Sequence, residues 1–476
     1  MLFNSLGFCL FLPIVFFLYW FVFNKTKNVQ NTFLVLVSYI FYSFWNWHFS
    51  FILLVSTLFS FLIGILIHRT NSEIKEKWWM RFSVILNIAV LCYFKYANFF
   101  IESICSLFQS FGFQINSITL NIILPIGISF YTFHSISYIL DIYYGRIKPT
   151  NNFIEYVLFV SYFPLLVAGP IERATHLLPQ LSQKRKFSYQ QSTDGIKLII
   201  WGLFKKIVIA DSLAPIVDEI FNNYQEHRSI ELIIGTIGFA FQVYGDFSGY
   251  TDIARGVSKL LGIDLILNFN LPYFSRSIPE FWSRWHISLT SWMNDYVFTP
   301  LAFSLRKKKK WGLFTAVVIT FAISGIWHGA GFNYLTWGVY YGLLFGPFIF
   351  YSTGTVKIGA ESKDIITISD LPKILMTFCI ICIGDVFFRS ENFYTALKFY
   401  QWIFISDVSS FNLFKSNTQL ITILKFTIGI VFLLFVEWNY LRLNKTLPKV
   451  IISLTLIILL FLGSYVNSLD FVYFQF

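Results

Sequence analysis

Long stretches without a charged side chain constrain this sequence more than any other feature. The segment from Leu313 to Val356 contains no Asp, Glu, Lys or Arg, and neither do residues 28–68 and 103–140. One crossing of a lipid bilayer needs roughly 20 apolar residues, so each stretch is long enough for one or two crossings. Only 13% of the chain is charged, against about 25% in an ordinary soluble domain. We therefore predict a protein that lies mostly within a membrane.

Apolar runs occur along the whole chain and predict roughly 11 to 12 helices that cross the membrane. They lie at 6–23, 32–48, 50–67, 82–100, 119–140, 196–212, 230–245, 313–329, 332–351, 373–388, 418–437 and 450–467. Basic residues gather in short segments between these runs, for example Arg69–Arg81, Arg306–Lys310 and Arg442–Lys449. Such segments are typical of cytoplasmic loops. This assignment places the N-terminus outside, and the apolar start is predicted to be a retained first span.

The middle of the chain, from about residue 151 to 300, has a different pattern. Phe163-Pro164, Gly169-Pro170 and the segment Gly245–Tyr250 interrupt its apolar runs. Irregular backbone at membrane depth is tolerated only inside the protein or beside a water-filled cavity. We therefore expect re-entrant or interfacial helices around a cavity here, and a solvated connector at 353–371.

The net charge of +11 does not indicate nucleic-acid binding, because the basic residues lie in loops between apolar runs. Those loops are placed to contact anionic membrane lipid. The five cysteines lie in or beside apolar segments, and Cys379 and Cys382 are interpreted as small apolar residues of a buried helix. We find no metal-binding motif and predict no metal site and no bound cofactor.

His328 is the first candidate for chemistry because it lies inside an uncharged, apolar run. An imidazole there loses its hydration and needs a partner or a cavity. On a helix, Ser324 and Gly325 lie one turn before it, and small residues allow a backbone or a substrate to approach closely. A neutral imidazole in this position can accept a proton from a hydroxyl group. The alternative is a histidine that only hydrogen-bonds a neighbouring helix.

His286 is the second candidate, in the aromatic and polar segment Phe281–Leu301. On one continuous helix, Trp282 and Thr290 would lie one turn to either side of it. This pattern suits an interfacial helix that lines a funnel and positions a substrate. The alternative is an aromatic belt that only anchors the helix.

Two carboxylates, Asp246 and Asp252, precede Arg255 in a third candidate cluster. They could act as an acid and a base, or they could hold Arg255 and a histidine tautomer in place. We favour the structural role, since buried charges usually persist by pairing.

Several long segments resemble one family in the right order along the chain. They are FKYANF from Phe94, LPIGISFYTFHSISYILDIYYG from Leu124, FPLLVAGPI from Phe163, DFSGY from Asp246, NFNLPYFSRSIPEFWSRWHISLTSW from Asn268, GIWHG from Gly325, VFFR from Val386 and VYFQF from Val472. Together they resemble the membrane-bound O-acyltransferases, in particular their branch of bacterial alginate O-acetyltransferases. At Gly384-Asp385-Val386 the chain departs from the pattern, which has an aromatic residue after the glycine.

The resemblance implies an all-α polytopic membrane protein, in which a ring of helices surrounds a central cavity. It implies one domain over residues 1–476, with N-terminal helices at 1–148, a catalytic core at 149–355 and C-terminal helices at 356–476. It implies that the protein crosses the bacterial plasma (inner) membrane many times.

The resemblance also implies an activity, in which an acetyl group moves from cytoplasmic acetyl-CoA to a hydroxyl of an extracytoplasmic polysaccharide. His328 would be the catalytic histidine and His286 its companion, with Trp285, Trp327 and Asp246 as supporting residues. We consider Asn294 or Ser324 as donors to the developing oxyanion. An extracytoplasmic partner of the SGNH-hydrolase type would complete the transfer. Alternatives are an acyl carrier protein as donor, as in D-alanine transfer to teichoic acid, or a transporter or scaffold without chemistry.

Overall fold

The computed structural model describes residues 2–113, 122–167, 169–351, 366–406, 417–443 and 447–465. The start of the predicted span 119–140, most of the connector 353–371 and the closing segment from Val472 lie outside these residues. The chain divides into one unit of Met1–Thr193 with Val257–Leu265, and a second of Asp194–Gly256 with Ile266–Phe476. The prediction of one domain in three parts is not tested by this division.

The first unit is built from helices. They are α1 Leu6–Phe17, α2 Lys27–Ser43, α3 Trp47–Arg69, α4 Glu73–Ser110, α5 Ile128–Tyr143, α6 Phe153–Ser161, α7 Phe163–Leu166, α8 Ala174–Leu181 and the beginning of α9 Tyr189–Leu203. As expected, Phe163-Pro164 and Gly169-Pro170 interrupt the apolar run here, because α6 ends at Ser161 and α7 is short.

Arg185 lies in the basic loop Lys184–Lys186, between α8 and α9, but it does not contact lipid as expected for such loops, because it is buried, at 5% exposure. Its guanidinium donates to Tyr19 Oη and to Asn31 Oδ1, both at 2.7 Å. The Gln30 side chain exchanges hydrogen bonds with the Arg185 backbone at 3.0 and 3.1 Å. A buried cation needs such partners, so Arg185 anchors the first unit rather than facing lipid headgroups.

The second unit continues in helices. They are the rest of α9, α10 Asp211–Asn222, α11 Ser229–Leu260 up to Gly256, α12 Ile278–Arg284, α13 Ile287–Met293, α14 Thr299–Ser304, α15 Lys309–His328, α16 Phe332–Leu344, α17 Gly346–Tyr351, α18 Leu371–Arg389, α19 Phe393–Ile405, α20 Asn417–Asn439 and α21 Lys449–Leu462. A π-helical segment, Phe204–Ala210, joins α9 to α10.

Six helices of the described residues are long and apolar enough to cross a membrane. They are Trp47–Arg69, Glu73–Ser110, Ser229–Leu260, Arg306–His328, Ile368–Arg389 and Ile423–Leu443, and Leu6–Val22 and Lys449–Leu462 are shorter apolar helices. The all-α polytopic class is thereby confirmed. The predicted apolar runs are more numerous than these long helices because several runs form short or broken helices. The run 32–48 forms most of α2, which has 17 residues, and the run 332–351 is divided between α16 and α17. The ring arrangement stays a prediction.

Helix α11 overturns the expectation that Gly245–Tyr250 interrupts an apolar run, because it continues through this segment without a break. Asp246 is compensated inside the protein by an ion pair with Lys206 at 2.7 Å. A Cβ at Gly249 would meet the carbonyl oxygen of Gly202 at 2.7 Å. The glycine therefore serves close packing between helices rather than a turn.

Helices α15 and α16 form a tightly packed hairpin. A Cβ at Gly325 of α15 would lie 2.2 Å from the carbonyl oxygen of Tyr334 in α16. The small residues before His328 therefore admit a neighbouring backbone, which is one of the two uses that the sequence suggested.

We predict that Gly325→Ala destabilises this hairpin by about 1–3 kcal/mol, the usual cost of overpacking a well-packed interior. Thermal unfolding of the detergent-solubilised protein measures the effect. The matched control is Gly346→Ala, where the added carbon meets only the far end of the Phe314 ring, at 3.3 Å. Equal melting temperatures for the two variants would contradict the tight backbone contact.

Candidate active site

His328 is the last residue of α15 and is buried, with 3% exposure. Three aromatic rings surround its imidazole. The ring centroids of Trp327, Trp337 and Phe388 lie 4.8, 5.1 and 5.3 Å from its own. Because Trp337 belongs to α16 and Phe388 to α18, the hairpin and a third helix together position this histidine.

His286 lies at a break between two short helices, which corrects the expectation of one continuous interfacial helix. Helix α12 ends at Arg284, α13 begins at Ile287, and His286 has a left-handed backbone with φ 44°. A non-glycine residue in this conformation is strained, and such strain is concentrated at functional sites. The break turns the His286 side chain inward, with 1% exposure.

Asn268 determines the tautomer of His286. Asn268 Oδ1 accepts from the backbone N–H of Ser288 at 3.2 Å and contacts His286 Nδ1 at 3.1 Å. A backbone N–H can only donate, so this side-chain atom is the oxygen, and His286 Nδ1 must carry the proton. The pKa of His286, which lies outside the six long apolar helices, is lowered by burial to about 3. His286 is therefore a neutral imidazole, and its Nε2 has no hydrogen-bond partner among the residues that the structure describes.

A backbone clamp holds this arrangement in place. The N–H of Ile287 donates to the carbonyl of Asn268, and the N–H of Asn270 donates to the carbonyl of Arg284, both at 2.9 Å. The Arg284 side chain also donates to the carbonyl of Asn270 at 3.2 Å and to Glu280 Oε1 at 3.0 Å. The segment before α12 is thus tied to the break that carries His286.

Trp327 lies between the two candidate histidines. Its ring centroid is 6.3 Å from that of His286 and 4.8 Å from that of His328. The ring of Phe247 also packs on His286, with 4.6 Å between ring centroids and the two planes nearly perpendicular. The structure therefore brings together His286, His328 and Trp327, as the sequence motifs suggested.

Asp246 has the structural surroundings that we expected for it. Lys206 Nζ bridges Asp246 and Asp211 at 2.7 and 2.9 Å, and all three side chains are buried. Asp252 pairs with Arg255 at 3.6 Å, as proposed, and with Lys205 at 2.5 Å. The tautomer of His286 is set by the amide of Asn268 and not by Asp246 or Asp252, the two carboxylates that the sequence suggested for such a role.

The other predicted site residues lie in different surroundings. Trp285 packs on Phe269, with 5.0 Å between ring centroids, and it lines the smaller cavity described below. Ser324 is buried one turn before His328. Asn294 donates to its neighbour Asp295 at 3.4 Å, and no contact with either histidine is described for it.

The described residues of the second unit line a smaller and a larger cavity. The smaller, of about 20 Å³, is bounded by residues from α11, α12, α16 and α18 and from the segments that flank α12, namely Phe239, Val243, Tyr273, Phe281, Trp282, Trp285, Trp337, Tyr341, Ile381, Asp385 and Phe388. Trp337 and Phe388 line this cavity and also contact the His328 ring. The larger, of about 360 Å³, is lined by Lys197, Lys205, Arg255, Asp194, Asp252 and Glu437 together with apolar and aromatic residues that include Tyr244 and Phe269.

Sequence reasoning missed three residues of this site. Asn268 opens a segment that resembled the family, yet nothing local marked it as the partner of His286. Trp337 lies in the apolar run after His328 without a distinguishing motif. Asp385 had a visible signal, since it stands where the family pattern has an aromatic residue.

The chain matches the membrane-bound O-acyltransferase family over residues 146–388, a stretch that contains both histidines. It is 35% identical over 396 residues to a protein named probable alginate O-acetylase from Pseudomonas aeruginosa, which covers 83% of this chain and 73% of the relative. A peptidoglycan O-acetyltransferase from Helicobacter pylori is 33% identical over 419 residues, covering 82% and 76%.

A more distant relative is a teichoic acid D-alanyltransferase from Bacillus subtilis, which is 28% identical over 283 residues and covers 58% of this chain and 71% of its own length. All three names describe acyl transfer. Together with the apolar helices, these matches show that the chain is a multi-pass acyltransferase and belongs to the membrane-bound O-acyltransferase family.

Proposed function

We propose that this protein moves an acetyl group from cytoplasmic acetyl-CoA across the membrane to a hydroxyl of an extracytoplasmic polysaccharide. The observation that carries the proposal is the pair of buried imidazoles around Trp327, within the stretch that matches the family. Alginate and peptidoglycan occur in the names of the relatives, which supports an acetyl group and a glycan acceptor.

His328 is the general base of the proposed reaction. It accepts the proton of the acceptor hydroxyl, and the oxygen attacks the acetyl carbonyl. The carbon–sulfur bond then breaks, and the imidazolium returns its proton to the leaving thiolate. Ser324 is the better placed of the two candidate oxyanion donors, since it is buried beside His328 and Asn294 donates to Asp295.

His286 is the proposed positioning residue. Its Nδ1–H is held by Asn268, so its Nε2 is available to accept a hydrogen bond from a hydroxyl group. An acceptor aligned in this way meets the acetyl carbonyl in a productive geometry, which is a large part of enzymatic rate enhancement.

We propose that the part of the donor that carries the acetyl thioester enters through the larger cavity. Its wall residues Tyr244 and Phe269 contact Trp285, with ring centroids 6.2 and 5.0 Å apart. The exposed run Arg306–Lys310 at the start of α15 would attract the donor's phosphates. Because α15 is 20 residues long, His328 lies about 30 Å from this run. With the basic run in the cytoplasm, the acyl group has to travel across most of the bilayer core before it reacts.

We further propose that an extracytoplasmic SGNH-type partner receives the acetyl group and passes it to the glycan. A second candidate donor is a thioester on an acyl carrier protein, since an acidic carrier would also suit the exposed run Arg306–Lys310. The D-alanyltransferase relative supports this alternative.

We predict that His328→Ala folds and inserts normally but loses about 100- to 10,000-fold in acetyl transfer, the usual cost of removing a general base. Membranes incubated with radiolabelled acetyl-CoA, acceptor glycan and partner measure the loss. His48→Ala is the matched control, because His48 is exposed in the first unit and contacts Asn46. Near-normal transfer by His328→Ala would exclude the role of base and favour a transporter or a scaffold.

We predict that His286→Ala impairs turnover less than His328→Ala does, and that Asn268→Ala lowers kcat by about 10- to 100-fold. That range is typical when the partner that orients a functional histidine is lost. If Asn268 acts through His286, the double variant will be no worse than His286→Ala alone. Additive losses would show that Asn268 does not act through His286, and wild-type turnover in His286→Ala would make His286 a structural residue.

A further inference from the structure

Asp385 is a buried carboxylate that the proposed mechanism does not use. It lies in α18, is 8% exposed, and its Oδ2 has no hydrogen-bond partner in the part of the chain that the structure describes. The titratable groups near it include Tyr340, Tyr341 and Cys382, none of which can carry a positive charge. A buried carboxylate without a cation is costly, and an ionisable residue within a membrane helix indicates function by default.

Asp385 lies on the wall of the smaller cavity, whose other walls are almost entirely aromatic. Aromatic rings with a carboxylate among them form the environment that proteins use to bind ammonium groups. Two further polar atoms, the indole N–H groups of Trp282 and Trp337, belong to the same walls and have no acceptor among the described residues. Each of these N–H groups can donate a hydrogen bond to an oxygen atom that lies next to a bound ammonium group.

The size of the cavity limits the ligand. Its volume of about 20 Å³ admits one group the size of a water molecule. A primary ammonium has this size, whereas a quaternary ammonium does not.

We propose that this cavity binds a primary ammonium group of a reactant, held by Asp385 within the aromatic walls. The site rests on the proposed function in one respect, since Trp337 and Phe388 line the cavity and also contact the His328 ring. An ammonium group bound here belongs to a molecule whose reacting atoms lie beside that histidine. Two reactants can supply this chemistry, an acceptor that contains an amino sugar or a donor that carries an aminoacyl group.

Binding is tested first with the full-length protein in nanodiscs and with methylammonium chloride as the probe. Methylammonium should raise the melting temperature of the wild type above its value in sodium chloride at the same concentration. Tetramethylammonium should not, because it is too large for the cavity. Asp385→Asn should abolish the shift, whereas Glu391→Gln, which removes an exposed carboxylate just beyond the end of the same helix, should retain it. No methylammonium shift in the wild type would overturn the proposal even if Asp385→Asn did not fold.

The source of the ammonium group is tested by kinetics. An acetyl thioester is offered with amino-sugar glycans and with their N-acetylated forms, and an alanyl thioester is offered with a neutral glycan. Asp385→Asn should raise KM about tenfold more for the amine-bearing reactant than for its neutral counterpart, as expected for losing a hydrogen bond to a charged group. If Asp385→Asn raised KM equally for the amine-bearing reactant and for its neutral counterpart, the proposed ammonium site would be overturned. The proposed role of His328 would not be affected. Transfer that survives His328→Ala would refute the proposed function, whatever methylammonium does.

Discussion

The pairing of buried polar groups inside the protein is the constraint on which the second unit depends. The Lys206 ammonium, held between Asp211 and Asp246, satisfies three charges that an apolar environment would otherwise penalise by several kcal/mol each. With Asp246 compensated, α11 continues as a helix through a polar and glycine-containing segment. Phe247, the next residue, is thereby directed against the ring of His286. A structural ion network thus sets one wall of the candidate active site.

A small number of contacts also positions each of the two histidines. One amide oxygen of Asn268 accepts from the backbone of Ser288 and from His286, which leaves a single tautomer for the imidazole. His328 is held instead by rings from its own helix, from α16 and from α18. Its position depends on how closely α15 and α16 approach, and Gly325 permits that approach. The two imidazoles are therefore positioned by separate sets of contacts, and the ring of Trp327 lies near both of them.

Much of the fold and part of the site followed from sequence, and the failures have physical causes. His328 and His286 were identified because an imidazole in an uncharged run, and one among tryptophans, are both unusual. The break at His286 was missed because its neighbours are compatible with a helix, and the hydrogen bonds that break it come from Asn268 and Asn270, distant in sequence. The continuity of α11 was missed for a similar reason, since the partner of Asp246 lies on another helical segment. The burial of Arg185 was missed because charge alone does not reveal a buried partner such as Tyr19.

The charges that line the larger cavity have a consequence for how a donor is captured. Three cationic and three acidic side chains face it, so its formal charge is balanced and it offers little net attraction to a phosphate. Attraction over distance must then come from the exposed basic run, whose field decays with a Debye length of about 8 Å at physiological ionic strength. In the reaction that we propose, added salt would therefore slow the arrival of a phosphate-bearing donor without slowing the enclosed proton transfer. Ionic strength alone would then separate donor capture from the chemical step.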